Sequence, residues 1–99
     1  KPLYHYLLFA PPSARGTRAN LRAALKYIMH FAPTVGFNPT EATRAQHVTI
    51  IGDSRAVSEE DERRLKEAGC HVERLAGDSR AVARALNELV RAGKRFLNP

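Results

Sequence analysis

The sequence predicts an α/β domain, in which a mostly parallel sheet of three strands is covered by helices. Apolar, β-branched runs alternate along the chain with segments whose apolar residues recur at helical spacing. The hexapeptide Gly-Asp-Ser-Arg-Ala-Val occurs twice, 25 residues apart, each time directly after an apolar run. Strands that alternate with helices in this way form parallel sheets with right-handed crossovers.

The first strand is predicted from Leu3 to Ala10, where Tyr, Leu and Phe are dense on both faces, as in a strand covered on both sides. The segment APPSARG ends it, because two prolines and a glycine continue neither a strand nor a helix. A helix is expected from the N-cap Thr17 to Pro33. Its apolar positions at helical spacing are Leu21, Leu25, Ile28, Met29 and Ala32.

The middle of the chain predicts a loop, a short helix, a strand and a longer helix. In TVGFNPTEATRAQ we expect a loop and then a short helix capped by Thr40. The β-branched run HVTIIG gives the second strand, which Gly52 ends. Ser58 is the expected N-cap of the next helix, with Asp61 as the acid of a capping box.

The last third predicts a strand, a helix and a tail. A turn at Gly69 precedes a third strand from about Cys70 to Leu75, and the final helix ends near Gly93, a residue suited to a left-handed C-cap. KRFLNP is then a tail or a short edge strand. Three strands leave two open sheet edges, so we expect another repeat or another subunit beside the sheet.

The repeated hexapeptide places two turns at equivalent points. Each copy lies at the carboxyl end of a strand that turns into a helix, at Gly52 to Val57 and at Gly77 to Val82. Glycine permits a sharp turn, and Asp and Ser (Ser54 and Ser79 included) accept hydrogen bonds from helix N–H groups. The complete prediction is a small Rossmann-like, three-layer domain with the order β-α-(α)-β-α-β-α.

Composition bounds the class of protein. Ninety-nine residues form one domain, and because the chain begins at Lys1 we interpret it as a piece of a longer polypeptide or a mature product. The formal charge of +6, with Arg supplying twelve of sixteen basic residues, favours an anionic partner such as nucleic acid, an acidic polysaccharide or a membrane surface. The alternative is a solvated Arg- and Ala-rich surface typical of a GC-rich or heat-loving source. No apolar run approaches the roughly 20 residues of a membrane span.

A catalytic serine is the sharpest enzymatic hypothesis that the hexapeptide raises. A strand followed by Gly-Asp-Ser resembles the nucleophile block of the GDSL esterases, with Ser54 as nucleophile. That chemistry needs a histidine base, which those esterases supply from an Asp-x-x-His block. None of Asp53, Asp61 and Asp78 has a histidine three residues later. We therefore predict a non-catalytic protein.

No cofactor or metal is expected from the remaining motifs. The chain has neither a Walker loop nor G-x-G-x-x-G, and its lone Cys70 cannot form an internal disulfide. The four histidines lie in or beside predicted strands or on an apolar helix, where packing or capping is the usual role. The acidic run Glu59 to Glu62 suits the first turn of a helix through the macrodipole.

An anion site is predicted where the loops after the strands meet, because ligands of parallel α/β sheets bind at the carboxyl ends of strands. The loop after Gly52 carries several acids, whereas the first and last loops are rich in arginine. The alternative is again a solvated surface. The predicted ligand-binding residues are Arg15, Arg18, Arg22, Arg80 and Arg84.

From His47 onward the chain resembles the type 2 cell-wall-binding repeat. The stretch VTIIGDSRAVSEEDERRLKEAGCHVERLAGDSR is similar to the family's pattern of a strand, Gly-Gly-x-x-Ala-Val-Ser, a helix and Val-x-Arg-x-x-Gly-x-x-Arg. Asp53 stands where the family has its second glycine, and the family's Arg-Tyr-x-Thr-Ala is Arg-Ala-Val-Ala-Arg here. The matching residues are Gly52, Ala56, Val57, Ser58, Leu65, Gly69, Val72, Arg74, Gly77 and Arg80.

The resemblance implies an exported bacterial module, outside the cell or in its wall, that holds surface proteins on anionic wall polymers. Our leading hypothesis is therefore a non-catalytic module that binds, or acts as a spacer along, an acidic cell-wall glycan. The rival hypothesis is a structural or oligomerisation domain that pairs with itself or a neighbouring domain through an open sheet edge. Nucleic-acid binding ranks lower, because no aromatic-basic interleave or reading helix is present.

Overall fold

The apolar strand Leu3–Phe9 lies inside a four-stranded sheet in the computed structural model of the chain, which describes residues 1–98. Four strands and five helices alternate along these residues. In chain order they are β1 (Leu3–Phe9), α1 (Thr17–Ala23), α2 (Leu25–Phe31), β2 (Thr34–Gly36), α3 (Pro39–Ala42), β3 (Ala45–Ile51), α4 (Glu59–Glu67), β4 (His71–Leu75) and α5 (Ser79–Ala92).

The sheet order is β2-β1-β3-β4, and every neighbouring pair is parallel. The α/β class and the covered parallel sheet are therefore as predicted. The central pair β1 and β3 runs in register from Leu3 beside Ala45 to Phe9 beside Ile51. Both strands are buried on both faces over most of their length, which accounts for their continuous apolar sequences.

The prediction of three strands was wrong, because the segment expected to be a loop contains β2. Thr34–Gly36 pairs with Tyr6–Leu8 of β1 on the side away from β3. Three residues are too few to show a strand periodicity, so only the partner strand defines them. The added strand also changes the predicted Rossmann-like order. β2 is added on one side of β1, whereas β3 and β4 are added on the other side.

Helices cover both faces of the sheet in two separate layers. On one face Leu7, Phe9 and Ile51 pack with buried residues of α2 and α5, among them Tyr27 and Leu86. On the other face the sheet packs against α3 and α4; this cluster comprises Tyr6, Leu8, Ala42, Ala45, Val48, Ile50, Val57, Leu65 and Cys70. The molecule is thus the predicted three-layer sandwich.

The single helix predicted after Thr17 is two helices that meet at Ala24. Thr17 is not the N-cap: Gly16 precedes the helix in a left-handed conformation, and Thr17 is buried with its hydroxyl donating to the Ala10 carbonyl (3.4 Å). Leu25 and Met29 were expected to face the core, yet they are 56 % and 76 % exposed. Packing selects Ala24 and Tyr27 instead, which lie on the opposite side of the helix.

Two other predicted caps are confirmed and one is wrong. The Ser58 hydroxyl accepts from Asp61 N–H (3.0 Å), and Gly93 ends α5 with a φ of 69°. The short helix α3 is capped by Asn38, whose side chain accepts from Thr40 N–H (2.9 Å), rather than by Thr40. Residues 94–98 form no strand but pack across the sheet as an irregular tail.

Both copies of the hexapeptide form the same turn. Gly52 and Gly77 have φ values of 125° and 113°, and a Cβ added to either would press against the alanine four residues later. The Asp that follows each glycine accepts the N–H of that alanine: Asp53 from Ala56 (3.2 Å) and Asp78 from Ala81 (2.9 Å). Val57 and Val82, the last residues of the two copies, are buried in the core.

Both Asp and Ser were expected to accept N–H groups in these turns; the aspartates are confirmed as acceptors, and the prediction for the serines was wrong. Within residues 1–98 neither the Ser54 nor the Ser79 hydroxyl makes a hydrogen bond. The copies also differ after the turn, since α5 begins at once with Ser79, whereas α4 begins later, after its own cap.

Replacing Asp78 by Ala should lower the free energy of unfolding by about 0.5–2 kcal/mol, because the first turn of α5 loses its acceptor. The matched variant Ser79→Ala should cost less than about 0.5 kcal/mol, because its hydroxyl is unused. Urea denaturation followed by circular dichroism measures both. Equal losses from the two variants would contradict the assignment of Asp78 as the cap.

Candidate functional site

The two glycine turns and the first loop enclose one crevice at the carboxyl edge of the sheet. Its volume is about 300 Å³, and it lies where the sheet changes its direction of growth, between β1 and β3. Doubly wound sheets bind their ligands at this position. The lining residues are Arg15, Gly16, Ala19, Asn20, Gly52, Asp53, Ala56, Gly77, Asp78 and Ser79.

The structure brings only some of the predicted arginines to the crevice. Arg15 lines the crevice, and Arg18, at the start of α1, lines an adjoining hollow beside Pro12 and Gly16. The other three lie further along the helices of the same layer: Arg22 on α1, and Arg80 and Arg84 on α5. All five are exposed, and none forms an ion pair with a residue of the described range 1–98.

The acids of the crevice already have hydrogen-bond partners. Asp53 accepts from the backbone N–H groups of Arg55 and Ala56 and pairs with the Arg55 guanidinium at 3.1 Å. The Arg55 side chain in particular lowers the pKa of Asp53, so this carboxylate is ionised. Asp78 accepts the Ala81 N–H. The acidic run of α4 lines none of this crevice, because α4 lies on the opposite face.

Arg74 holds the first turn in place, a role the sequence did not suggest. Its side chain, 16 % exposed, donates from Nη1 to the Gly52 carbonyl (2.9 Å) and from Nη2 to the Val57 carbonyl (2.8 Å). Its Nε donates to Glu62 (2.8 Å). Burial alone would raise the pKa of Glu62, but Arg74 and Lys66 together lower it. The sequence feature that could have indicated this role is a single arginine within a half-buried strand.

The two helical layers carry opposite charge. Helices α1, α2 and α5 together hold six Lys and Arg residues and one acid, Glu88. Helices α3 and α4 hold six acids and three basic residues. Moreover, residues 1–40 contain no Asp or Glu. The net positive charge is therefore concentrated on the layer that carries Arg18, Arg22, Arg80 and Arg84.

Three histidines lie in a row at the amino-terminal end of the sheet. His5, His47 and His71 are direct neighbours in register across β1, β3 and β4, which places their side chains on one face. The rings of His47 and His71 stack at 5.2 Å, and Phe96 of the tail stacks on His47 at 4.2 Å. The sequence alone does not reveal this row, because the register of three separate strands brings the histidines together.

A chain of hydrogen bonds joins this row to the tail. Arg95 can only donate, so its Nη1 donates to His5 Nδ1 (3.3 Å), and His5 Nε2 therefore carries the proton that is donated to Thr49 Oγ1 (2.8 Å). The Thr49 hydroxyl donates to Glu73 (3.3 Å). Glu73 in turn accepts the backbone N–H groups of Leu97 and Asn98, each at 3.1 Å. The circuit thus begins and ends in the tail.

The circuit requires a neutral His5. Burial, followed by the charge of Arg95, lowers the pKa of His5 to about 3. Burial and the neighbouring His71 also lower the pKa of His47. Burial raises the pKa of Tyr27, whose hydroxyl donates to the Arg95 carbonyl. His5 and Thr49 are almost fully buried, and the circuit that they form holds the tail against the sheet.

Comparison with known proteins assigns no function to the chain, so its function is inferred from the site itself. No protein-family model matches the chain, and neither does a curated protein or a solved structure. Among residues 1–98, no three His, Cys, Asp or Glu side chains are grouped so that they could hold a metal ion. No helix in that range is long and apolar enough to cross a membrane.

Acidification should destabilise the protein through His5. Its pKa is about 6.5 unfolded and about 3 folded, so the unfolded chain takes up the proton first and stability declines as pH falls from 6.5 towards 3. The slope for one such group approaches about 1.4 kcal/mol per pH unit. Urea midpoints at pH 7 and pH 5 measure the loss.

The variant His5→Gln is the test of the residue, and His30→Gln, at an exposed position on α2, is its matched control. The first should be less stable at pH 7 but show a shallower pH dependence, and the second should behave as the parent protein. An unchanged slope in His5→Gln would refute the assignment.

Proposed function

We propose that this domain is a non-catalytic module of an exported bacterial protein that binds an acidic cell-wall glycan. The observation that carries the proposal is a basic helical layer that adjoins the crevice at Arg15. Four arginines of this layer have no acidic partner within residues 1–98, namely Arg18, Arg22, Arg80 and Arg84. Guanidinium groups bind carboxylate and phosphate groups through paired hydrogen bonds. An extended polyanion would lie along α1 and α5, with one acidic group at the crevice.

The separation of the two layers supports this mode of binding. A polyanion is attracted to the layer of α1, α2 and α5 and repelled by the acidic layer of α3 and α4, so it meets the domain in one orientation. Helices α1 and α5 pack against each other, which brings Arg18 and Arg22 next to the helix that carries Arg80 and Arg84. Sequence separation alone gave no reason for that proximity.

The groups that an esterase would need lie at opposite ends of the strands, which supports a non-catalytic function. Ser54 lies in the turn at the carboxyl edge of the sheet, whereas His5, His47 and His71 lie in the first half of their strands, towards the opposite edge. A histidine base must be within hydrogen-bond reach of its serine. A domain of this kind would act through attachment of its parent protein to the wall.

The variant Arg18→Glu with Arg80→Glu should lose retention on a purified wall teichoic acid at low salt, because it reverses two charges on the basic layer. The matched control is Arg44→Glu with Arg63→Glu, which makes the same change in net charge at exposed positions outside that layer. Co-sedimentation measures retention, and circular dichroism verifies the fold. Equal loss in both variants would show that only net charge matters, and retention in both would place binding elsewhere.

The sheet edge at β4 favours a second candidate function, self-association or pairing with a neighbouring domain. β4 is the terminal strand of the sheet and runs for five residues, and within residues 1–98 no strand lies beyond it. A strand of another copy could add there through main-chain hydrogen bonds.

Sedimentation equilibrium over a range of concentrations tests the second candidate. The expected result is a weight-average mass that rises with concentration from the monomer value. A constant 11.0 kDa at millimolar concentration would remove this candidate and leave the first one untouched.

A further inference from the structure

Helices α1 and α2 present an outer face that combines apolar and basic side chains. Leu25 and Met29 are the most exposed large apolar residues of the described chain, at 56 % and 76 %. They are one helical turn apart, so they form a single apolar ridge. The basic residues on the same outer face are Arg18, Arg22 and Lys26.

This ridge is not a by-product of core packing. Tyr27 and Ala24 are fully buried on the inner side of the same segment, so the inner face has its own apolar residues. Exposure of a leucine and a methionine therefore adds nothing to the core. Apolar side chains flanked by cations are the combination with which amphipathic helices contact an anionic membrane surface.

The charges around the ridge favour an anionic partner. Helices α1 and α2 contain no acid, and the nearest acidic side chain in their layer, Glu88 on α5, is paired with Arg91 at 3.6 Å. A second copy could offer its acidic α4, but the exposed surface of that helix contains no large apolar residue to cover Leu25 and Met29. A glycan polyanion likewise has no need of the two apolar side chains.

We propose that the outer face of α1 and α2 docks on an anionic lipid bilayer, with Leu25 and Met29 inserted among the acyl chains and Arg18, Arg22 and Lys26 at the headgroups. Insertion removes the two apolar side chains from water, and the three cations contact the lipid phosphates. The domain lies on the bilayer surface without crossing it. This contact shares Arg18 and Arg22 with the proposed glycan surface but differs from glycan binding in its use of Leu25 and Met29.

The absence of tryptophan from the sequence provides a local probe. The variant Met29→Trp carries a single indole at the centre of the ridge. With vesicles of phosphatidylglycerol and phosphatidylcholine, its emission should shift to shorter wavelength and be quenched by brominated acyl chains. The matched control Glu67→Trp, at an exposed position on the acidic α4, should show neither change.

Binding variants separate insertion from charge attraction. Leu25→Gln with Met29→Gln should weaken co-sedimentation with the anionic vesicles by about tenfold or more, since burial of the ridge is lost. Lys26→Gln should weaken it about fivefold, and vesicles of phosphatidylcholine alone should bind little. Because Leu25 and Met29 are exposed, circular dichroism should be unchanged.

Several outcomes would overturn the proposal. These are no binding to anionic vesicles, binding that the double glutamine variant does not weaken, and a fluorescence change in Met29→Trp that appears with the teichoic acid but not with vesicles. Failure of glycan binding is a different result, because the Arg18 and Arg80 double variant tests it on polymer without lipid. Loss of vesicle binding with retention on polymer would refute only the lipid contact.

Discussion

Burial of β1 and β3 on both faces is the constraint from which the rest of the molecule follows. Their side chains are apolar in both directions, so the sheet must be covered twice. Parallel pairing then requires a crossover helix between successive strands and brings the following loops to one edge. The crevice, the two glycine turns and the pair of helical layers are consequences of that single requirement.

The two-sided covering also separates the charges. Each layer buries its own stripe against the sheet and turns its polar residues outwards, so residues far apart in sequence share one surface. Arg18 and Arg80 belong to adjacent helices although they are 62 positions apart in the sequence. The acids of α4 lie on the other face of the sheet. A modest net charge of +6 thus becomes a basic side and an acidic side.

The sequence was informative where a pattern is local. The strands β1 and β3, the amphipathic α5 and the repeated turn follow from runs, spacing and glycine, and so does the Ser58 cap. β2 could not be predicted, because three residues acquire their identity from Tyr6–Leu8 beside them. The exposure of Leu25, the hydrogen bonds of the Arg74 guanidinium and the histidine row depend on register and packing, which arise only when distant segments meet.

The circuit through His5, Thr49 and Glu73 has a consequence for how the chain folds during synthesis. His5 is made before its partner Arg95, which lies 90 positions later in the chain. Until the tail is present, the amino-terminal half of the sheet holds buried polar groups with unfilled hydrogen bonds, at a cost in free energy. The hydrogen bonds of His5 and Glu73 are therefore complete only once Arg95, Leu97 and Asn98 have reached the sheet.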